Sequence, residues 1–277
     1  MTSKRKNLII NIIVTVALAA GSILMMYPLM WMVFSSVQHP GEVLRNFFPR
    51  RWDFSPYWIV WGEANLIRGY FNSILATVPV VIVQIFTSAM AAYAFAKLSF
   101  KGKNALFLTM MGTMMIPFAV IMIPQVVVFR ALGLLNGPLA IIIPKFFGSV
   151  MTVFFLRQFL YGIPTSLSEA AKLDGAGHLR IFITIMIPLI APGIAAQAIL
   201  SFIGNWNDFL GPMLFIMDEA WFTLPVLLNR YTSEVAAPRY IPRQMAASLI
   251  TMVPIFIIFA IFQKRIISSI VFSAVKG

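Results

Sequence analysis

The chain of 277 residues has no cysteine, only two histidines and only nine acidic residues. Without cysteine it can form no disulfide and no thiolate metal site, and it has no thiol nucleophile. The histidines, His39 and His178, lie far apart in sequence and lack the spacing of metal ligands. The few ionisable side chains therefore offer little material for catalysis or for metal binding.

Motifs of known catalytic chemistry are missing as well. The sequence has no G-x-x-x-x-G-K-[ST] phosphate loop, no H-E-x-x-H pair and no nucleophile elbow. Its long apolar segments also lack the acidic and histidine chains that are typical of a proton-coupled pump. We therefore predict a protein that is not an enzyme and binds no cofactor, so that any nucleotide energy has to come from a partner.

Apolar sequence is what the chain has in excess. Hydrophobic residues make up 60% of it, 25 of the residues are phenylalanine, and the mean hydropathy is +0.88. Since a bilayer span needs about 20 apolar residues, we predict a single all-α transmembrane domain over residues 1–277. Its six spans are expected at about 8–34, 71–96, 105–129, 138–160, 181–203 and 244–263. The first run starts like a secretory signal but is too long for one, so we expect an uncleaved span.

The formal net charge of +12 comes from small basic groups rather than from one basic face. Such groups are typical of the positive-inside rule, and no nucleic-acid partner is predicted. Lys4–Lys6, Lys97–Lys103 and Lys264–Arg265 stand directly beside span ends. This distribution predicts that both termini and residues 165–180 are cytosolic, and that loops 35–68 and 204–243 are external.

Residues 165–180 are the one long polar passage between two membrane-length apolar stretches. Ser166 and Glu169 have the spacing of a capping box, which predicts a helix start. Gly175 and Gly177 can adopt a left-handed conformation, so the helix is expected to end there before the next apolar run begins. The pattern predicts a short exposed helix that leads into a membrane helix.

The motif Glu169-Ala-Ala, followed by Gly175 and by Ile185-x-Ile187-Pro188, resembles the E-A-A loop of membrane subunits of binding-protein-dependent ABC importers. Ile187 stands where leucine is usual in that family, which keeps an apolar side chain of similar volume. Further segments resemble the carbohydrate branch, and in particular the second permease of maltose-type systems: Phe155–Phe159, Asp174–Ala176 and Trp206–Leu210. The resemblance covers essentially the whole chain.

That resemblance implies a type I ABC importer permease fold in the cytoplasmic membrane of a prokaryote. It implies four kinds of partner in the lipid bilayer and beside it: a homologous second permease, two ATP-binding ABC subunits, an extracellular or periplasmic solute-binding protein, and a sugar-like solute. Residues 165–180 would form the coupling helix. The residues expected to couple ATP hydrolysis to transport are Glu169, Ala170, Ala171, Asp174, Gly175 and Pro188.

Polar residues within or beside the apolar spans are candidates for the translocation path. Lys145 lies inside the fourth predicted span, while Asn207 and Asp208 follow the fifth. A lysine inside a membrane is costly unless it reaches water or a partner. Two interpretations of Lys145 stay open, since its chain can snorkel to the near interface or can face a water-filled path.

The sequence leaves two alternatives to a sugar importer. The E-A-A loop is shared across importers, so a permease for another solute, such as a peptide or a phosphate ester, is one alternative. The other is a membrane channel or scaffold that works without an ATPase. The two classes differ in whether residues 165–180 have an ATP-binding partner.

Overall fold

The computed structural model describes the backbone of residues 3–234 and 237–274, and the side chains of 7–233, 237 and 239–263. Across these ranges the chain is helical, and its β-structure amounts to one isolated bridge between Gln38 and Trp52. The predicted all-α fold is therefore confirmed. The ends of the chain, at residues 1–2 and 275–277, lie outside the described residues, and so does their predicted cytosolic location.

Fourteen α-helices run through the described residues, two of them joined by one π-helical turn at Phe182–Met186. Their bounds are α1 Ser3–Ser36, α2 Ser55–Glu63, α3 Leu66–Lys97, α4 Lys103–Thr113, α5 Phe118–Ala131, α6 Leu139–Phe146, α7 Val150–Tyr161, α8 Thr165–Leu173, α9 His178–Ile181, α10 Ile187–Leu189, α11 Ala191–Trp206, α12 Leu210–Phe215, α13 Leu224–Glu234 and α14 Ile241–Ala274.

Within the described residues, four helical segments are long and apolar enough to cross a membrane: Asn7–Ser36, Leu66–Lys97, Leu139–Tyr161 and Ile241–Gln263. Two further spans arise only if bent helix pairs are counted as one span each. The pair α4 and α5 is bent by 92°, and the pair His178–Leu189 and α11 by 79°. Each of the six predicted ranges overlaps one of these segments, while the membrane boundaries themselves stay a prediction.

Proline accounts for the position of both bends. Pro117 directly precedes α5 with an extended backbone, at φ −63° and ψ 139°. Proline lacks an N–H and disfavours the helical conformation of the residue before it, so a helix tends to stop there. At the second bend Ile190 leaves the helical conformation, and Pro192 occupies the first turn of α11.

The chain contains two compact units. The first contains Met1–Asn65 and Leu228–Val253. In it the buried amide of Gln38 donates hydrogen bonds to the carbonyl oxygens of Asn46 at 3.0 Å and Phe47 at 3.2 Å. These bonds hold the segment after α1 in place.

The first unit also contains a polar cluster around Glu63. The hydroxyl of Tyr231 donates to Glu63 Oε2 at 3.1 Å, and Arg243 Nη1 lies 3.7 Å from the same oxygen. Burial, together with this hydrogen bond to a carboxylate, raises the pKa of Tyr231 to about 12. Tyr231 therefore stays protonated and remains a hydrogen-bond donor at any physiological pH.

The second unit contains Leu66–Leu227 and Pro254–Gly277 and has its core around α3. Tyr93 on α3, Leu156 on α7 and Phe182 in the π turn belong to one buried cluster. A second cluster joins α3 to α5, α6 and α12, with Ala76 and Phe215 among its members. Helix α3 is thus the element on which the other helices of this unit pack.

Asn72 on α3 fixes the segment between α12 and α13. Its buried side-chain amide donates to the carbonyl oxygens of Ala220 at 2.9 Å and Phe222 at 3.0 Å. The neighbouring hydroxyl of Ser73 accepts from the N–H of Leu224 at 2.8 Å. Two adjacent residues therefore satisfy three backbone groups about 150 residues further along the chain.

We predict that Asn72→Leu lowers the stability of the folded chain by roughly 1–3 kcal/mol, because two buried carbonyl groups lose their donor. The measurement is the thermal unfolding midpoint of the protein purified in mild detergent. Asn104→Leu, at an exposed asparagine, is the matched control and should leave the midpoint unchanged. Equal midpoints for the two variants would show that the bonds of Asn72 contribute nothing.

Candidate coupling surface

Helix α8 begins directly after Pro164, whose extended backbone, at φ −58° and ψ 138°, sets the start of the helix. The helix starts at Thr165, and no side chain caps it. Ser166 therefore lies inside the first turn, so the predicted capping box of Ser166 and Glu169 is wrong. The reason is that Pro164 occupies the N-cap position, so the helix begins two residues earlier than a Ser166 cap requires.

The C-terminal end of α8 has the hydrogen bonds of a Schellman motif. The N–H of Ala176 donates to the carbonyl of Ala171 at 2.9 Å, and that of Gly175 to Lys172 at 3.0 Å. Gly175 has φ +80°, a left-handed conformation that side chains disfavour. The predicted left-handed end at Gly175 is confirmed, whereas Gly177 is extended at φ −73° and does not take that role.

The two alanines of the E-A-A motif lie on different sides of α8. Ala171 is half-buried and packs, like Ala176, against the core cluster of the second unit. Glu169 and Ala170 are exposed, and Leu173 is 90% exposed. Among the described residues, the outer side of α8 and the two residues after it thus form an exposed surface, which we call the coupling surface: Glu169, Ala170, Lys172, Leu173, Asp174 and Gly175.

Arg157 and Lys97 hold the segment that leads into α8. The guanidinium of Arg157 donates to the carbonyl of Phe95 at 3.4 Å and lies 3.9 Å above the ring of Phe107. The ammonium group of Lys97 donates to the carbonyl of Ile163, one residue before Pro164. These contacts join the ends of α3 and α7 to the base of the coupling surface.

Neither of these supporting roles was predicted from the sequence. Arg157 was noticed only as part of the Phe155–Phe159 motif, and Lys97 only as a topology-setting charge. A partial signal is present, since an arginine on a membrane helix needs hydrogen-bond acceptors, and its guanidinium also packs favourably on an aromatic ring. The acceptors are backbone carbonyl groups of other segments. Because every residue has such a group, the sequence does not mark which ones accept.

Pro188 lies beyond the π turn, on the exposed side of α10. It has no N–H for the helical ladder, and the N–H of Ile187 donates to Phe182, five residues earlier. Phe182 and Met186 in this turn are buried in the core cluster. Pro188 is therefore part of the exit from the loop and is not one of the residues on the outer side of α8.

The candidate path residues Lys145 and Asp208 form an ion pair, from α6 to the segment after α11. The other carboxylate oxygen of Asp208 accepts from the N–H of Gly211 at 3.2 Å. The two side chains are 30% and 20% exposed. Asn207 ends α11 and is exposed. The structure thus gives Lys145 a partner that neither of its two expected arrangements included.

Comparison with known proteins identifies the class. Residues 84–271 match the sequence profile of a family described as "Binding-protein-dependent transport system inner membrane component". These residues include the coupling surface and the Lys145–Asp208 pair. The chain belongs to this family.

Individual relatives match over nearly the full length. The arabinooligosaccharides transport system permease protein AraQ of Halalkalibacterium halodurans is 33% identical over 97% of this chain and 98% of its own. The diacetylchitobiose uptake system permease protein NgcG of Streptomyces coelicolor is 32% identical over 90% of this chain and 83% of its own.

A solved structure has the same fold. It is the crystal structure of a bacterial ABC transporter involved in the import of the acidic polysaccharide alginate. The TM-score is 0.80 at 25% identity, covering 94% of this chain and 97% of the other. The predicted type I permease fold is confirmed, and so is the prediction of a multi-pass transport subunit of an ABC importer that is not itself an enzyme.

We predict that Arg157→Met loosens the coupling surface, because the chain loses a hydrogen bond to α3 and the contact with Phe107. Amide hydrogens of residues 163–176 should exchange at least about tenfold faster, since local opening becomes easier. The measurement is hydrogen exchange with mass spectrometry on the detergent-purified chain. Arg130→Met, at an exposed arginine, is the control. Unchanged exchange at 163–176 would mean that Arg157 does not support the loop.

Proposed function

We propose that this chain is a pore-forming subunit of an ATP-driven importer that carries a sugar or sugar-like solute across the cytoplasmic membrane by alternating access. The observation that supports the proposal most strongly is the coupling surface. Helix α8 exposes Leu173 and Ala170. Ala171 and Ala176 pack against the core of the second unit, and Lys97 binds the carbonyl of Ile163 just before the helix. An exposed surface that is attached to the helical core can bind a partner protein and transmit the movement of that partner to the membrane helices.

The ABC ATPase subunits are the partner proposed for this surface. Glu169 and Asp174 would meet basic groups of the ATPase, and Ala170 would let the two backbones come close. Because Lys97 and Arg157 connect the loop to α3 and α7, a displacement of α8 would be passed to these helices rather than absorbed. Rigid-body movement of packed helices is a known way to switch a pore between two openings.

Further partners complete the proposed assembly. A homologous second permease would form the other half of the pore, and two ATPase subunits would each take one coupling helix. A solute-binding protein would dock on the external loops, 35–68 and 204–243. In the same topology both termini and α8 would lie in the cytosol. Lys145, Asn207 and Asp208 are proposed to border the translocation path.

A saccharide is the proposed solute class, because the permeases AraQ and NgcG are named for the transport of arabinooligosaccharides and diacetylchitobiose. A non-sugar solute is the alternative within the same class of transporter. The two are distinguished by uptake into cells that express the complete importer. Neutral oligosaccharides should be accumulated in an ATP-dependent way, and labelled dipeptides should not.

We predict that Ala170→Arg weakens the docking of the ATPase on this chain, since a long charged side chain on the exposed side of α8 keeps the ATPase from close contact. Solute-dependent ATP hydrolysis and uptake should each fall at least about tenfold, which corresponds to about 1.4 kcal/mol of lost interaction. The chain should still insert and purify. Ala131→Arg, also at an exposed alanine, is the matched control.

Co-purification identifies the partner directly. The tagged native chain, extracted in mild detergent, should bring a phosphate-loop ATPase and a second permease, both identified by mass spectrometry. Ala170→Arg should reduce the ATPase and retain the second permease. A native chain that purifies alone would favour the channel or scaffold that works without an ATPase. Coupled uptake that is unimpaired in Ala170→Arg would instead reject the exposed side of α8 as the contact with the ATPase.

A further inference from the structure

We infer that Lys145 and Asp208 act as one positioning unit, which holds the segment after α11 against α6, and that neither charge serves as a ligand for the solute. The expected effect on solute uptake rests on the proposed transport function. The expected effect on stability rests on the ion pair alone. Both residues lie in the second compact unit, in which α6 and α12 also share the apolar cluster of Ile141 and Phe215.

The first argument is electrostatic. Lys145 lies within the span Leu139–Tyr161, where a single ammonium group is poorly solvated. The side chains of Lys145 and Asp208 are mostly withdrawn from solvent, at 30% and 20% exposure. Removing one partner leaves the other charge without compensation, whereas removing both leaves a neutral contact. Loss of either residue alone is therefore expected to destabilise the protein more than loss of both.

The second argument is the double attachment of the Asp208 carboxylate. One oxygen pairs with Lys145 on α6, and the other accepts from the N–H of Gly211 in the first turn of α12. A Cβ at Gly211 would lie 2.7 Å from the carboxylate, which is closer than such contacts allow. The carboxylate thus fits tightly against α12 while its charge is held by α6, and it joins the two elements.

The third argument is that α6 needs such an attachment. Its helix stops at Phe146, and α7 begins only at Val150. Gly148 between them has φ +115°, and Ser88 on α3 binds the N–H of Ser149 at 3.0 Å. Helical continuity therefore does not fix α6 relative to α7. The Lys145 pair supplies a fixed point on α6 itself, only one residue before the helix ends.

A solute that bound either charge would have to compete with the contacts that the pair already makes within the protein. Each oxygen of Asp208 already has a protein partner, and the lysine ammonium is directed to one of them. A paired lysine and aspartate also present no net charge to the path. Exposed Asn207 is next to the pair, and it is the residue of the three that is free to meet a sugar hydroxyl.

The test is a double-mutant cycle with Lys145→Met, Asp208→Asn and the double variant. Asp208→Asn keeps an oxygen for the N–H of Gly211, while the charge and the acceptor for Lys145 are removed. Lys145→Arg conserves the charge, and Lys101→Met in an exposed loop is the control. Three quantities are measured for each: the thermal midpoint of the detergent-purified chain, and the maximal rate and the KM of solute uptake by the complete importer.

Both single variants should lower the midpoint and reduce the maximal uptake rate at least about tenfold, while the double variant recovers to within about threefold of the native rate. Lys145→Arg should also recover, and KM should stay within about twofold throughout, because no solute contact is lost. A double variant as impaired as the product of the singles would overturn the inference. A rise of KM at an unchanged maximal rate would overturn it too.

The midpoints separate this inference from the proposed function. If the native importer takes up no saccharide, the proposed solute is wrong, yet the cycle of midpoints still decides whether the pair acts as a unit. Additive midpoint losses would reject the pair even where saccharide uptake is established.

Discussion

The cost of leaving a polar group without a partner in apolar surroundings explains the hydrogen bonds between the helices of the second unit. Three helices of this unit, α3, α7 and α11, carry polar side chains that bind one another. The pairs are Gln84 with Ser201, Thr152 with Gln197, and Ser88 with the backbone of Ser149. Such bonds between membrane helices contribute modestly one by one, but each fixes a helix in rotation and in depth.

This bonding explains why the coupling surface is firm although it is exposed. Its supports, Arg157 and Lys97, extend from helices that the polar pairs already hold together. Both use backbone carbonyls as acceptors, and neither needs an acidic side chain. A chain with only nine acidic residues can therefore hold its cationic groups without matching each to a carboxylate.

The features that could be predicted from the sequence depend on local properties. Apolar runs of membrane length predict where helices lie, and the special backbone freedom of glycine predicts the left-handed residue Gly175. The capping box failed because it was judged by spacing alone, while Pro164 fixes the start of the helix. The bends at Pro117 and Ile190 were missed because proline in membrane helices is often tolerated without a break.

The features that could not be predicted depend on contacts between distant residues. Lys145 and Asp208 are 63 residues apart, and both were singled out without being paired. Ala170 and Ala171 are adjacent and chemically identical, so only the direction in which α8 packs tells them apart. Helical periodicity alone gives their separation in angle, but not which side meets the core.

The π turn at Phe182–Met186 changes the direction in which the side chains before it point relative to those after it. A π turn contains one residue more than an α turn, and each residue of an α-helix advances the chain by about 100°. The residues before the turn are therefore rotated by about that angle relative to those after it. Shortening the turn by one residue would preserve a continuous helix and all the remaining side chains in it, yet would turn the loop away from its present direction.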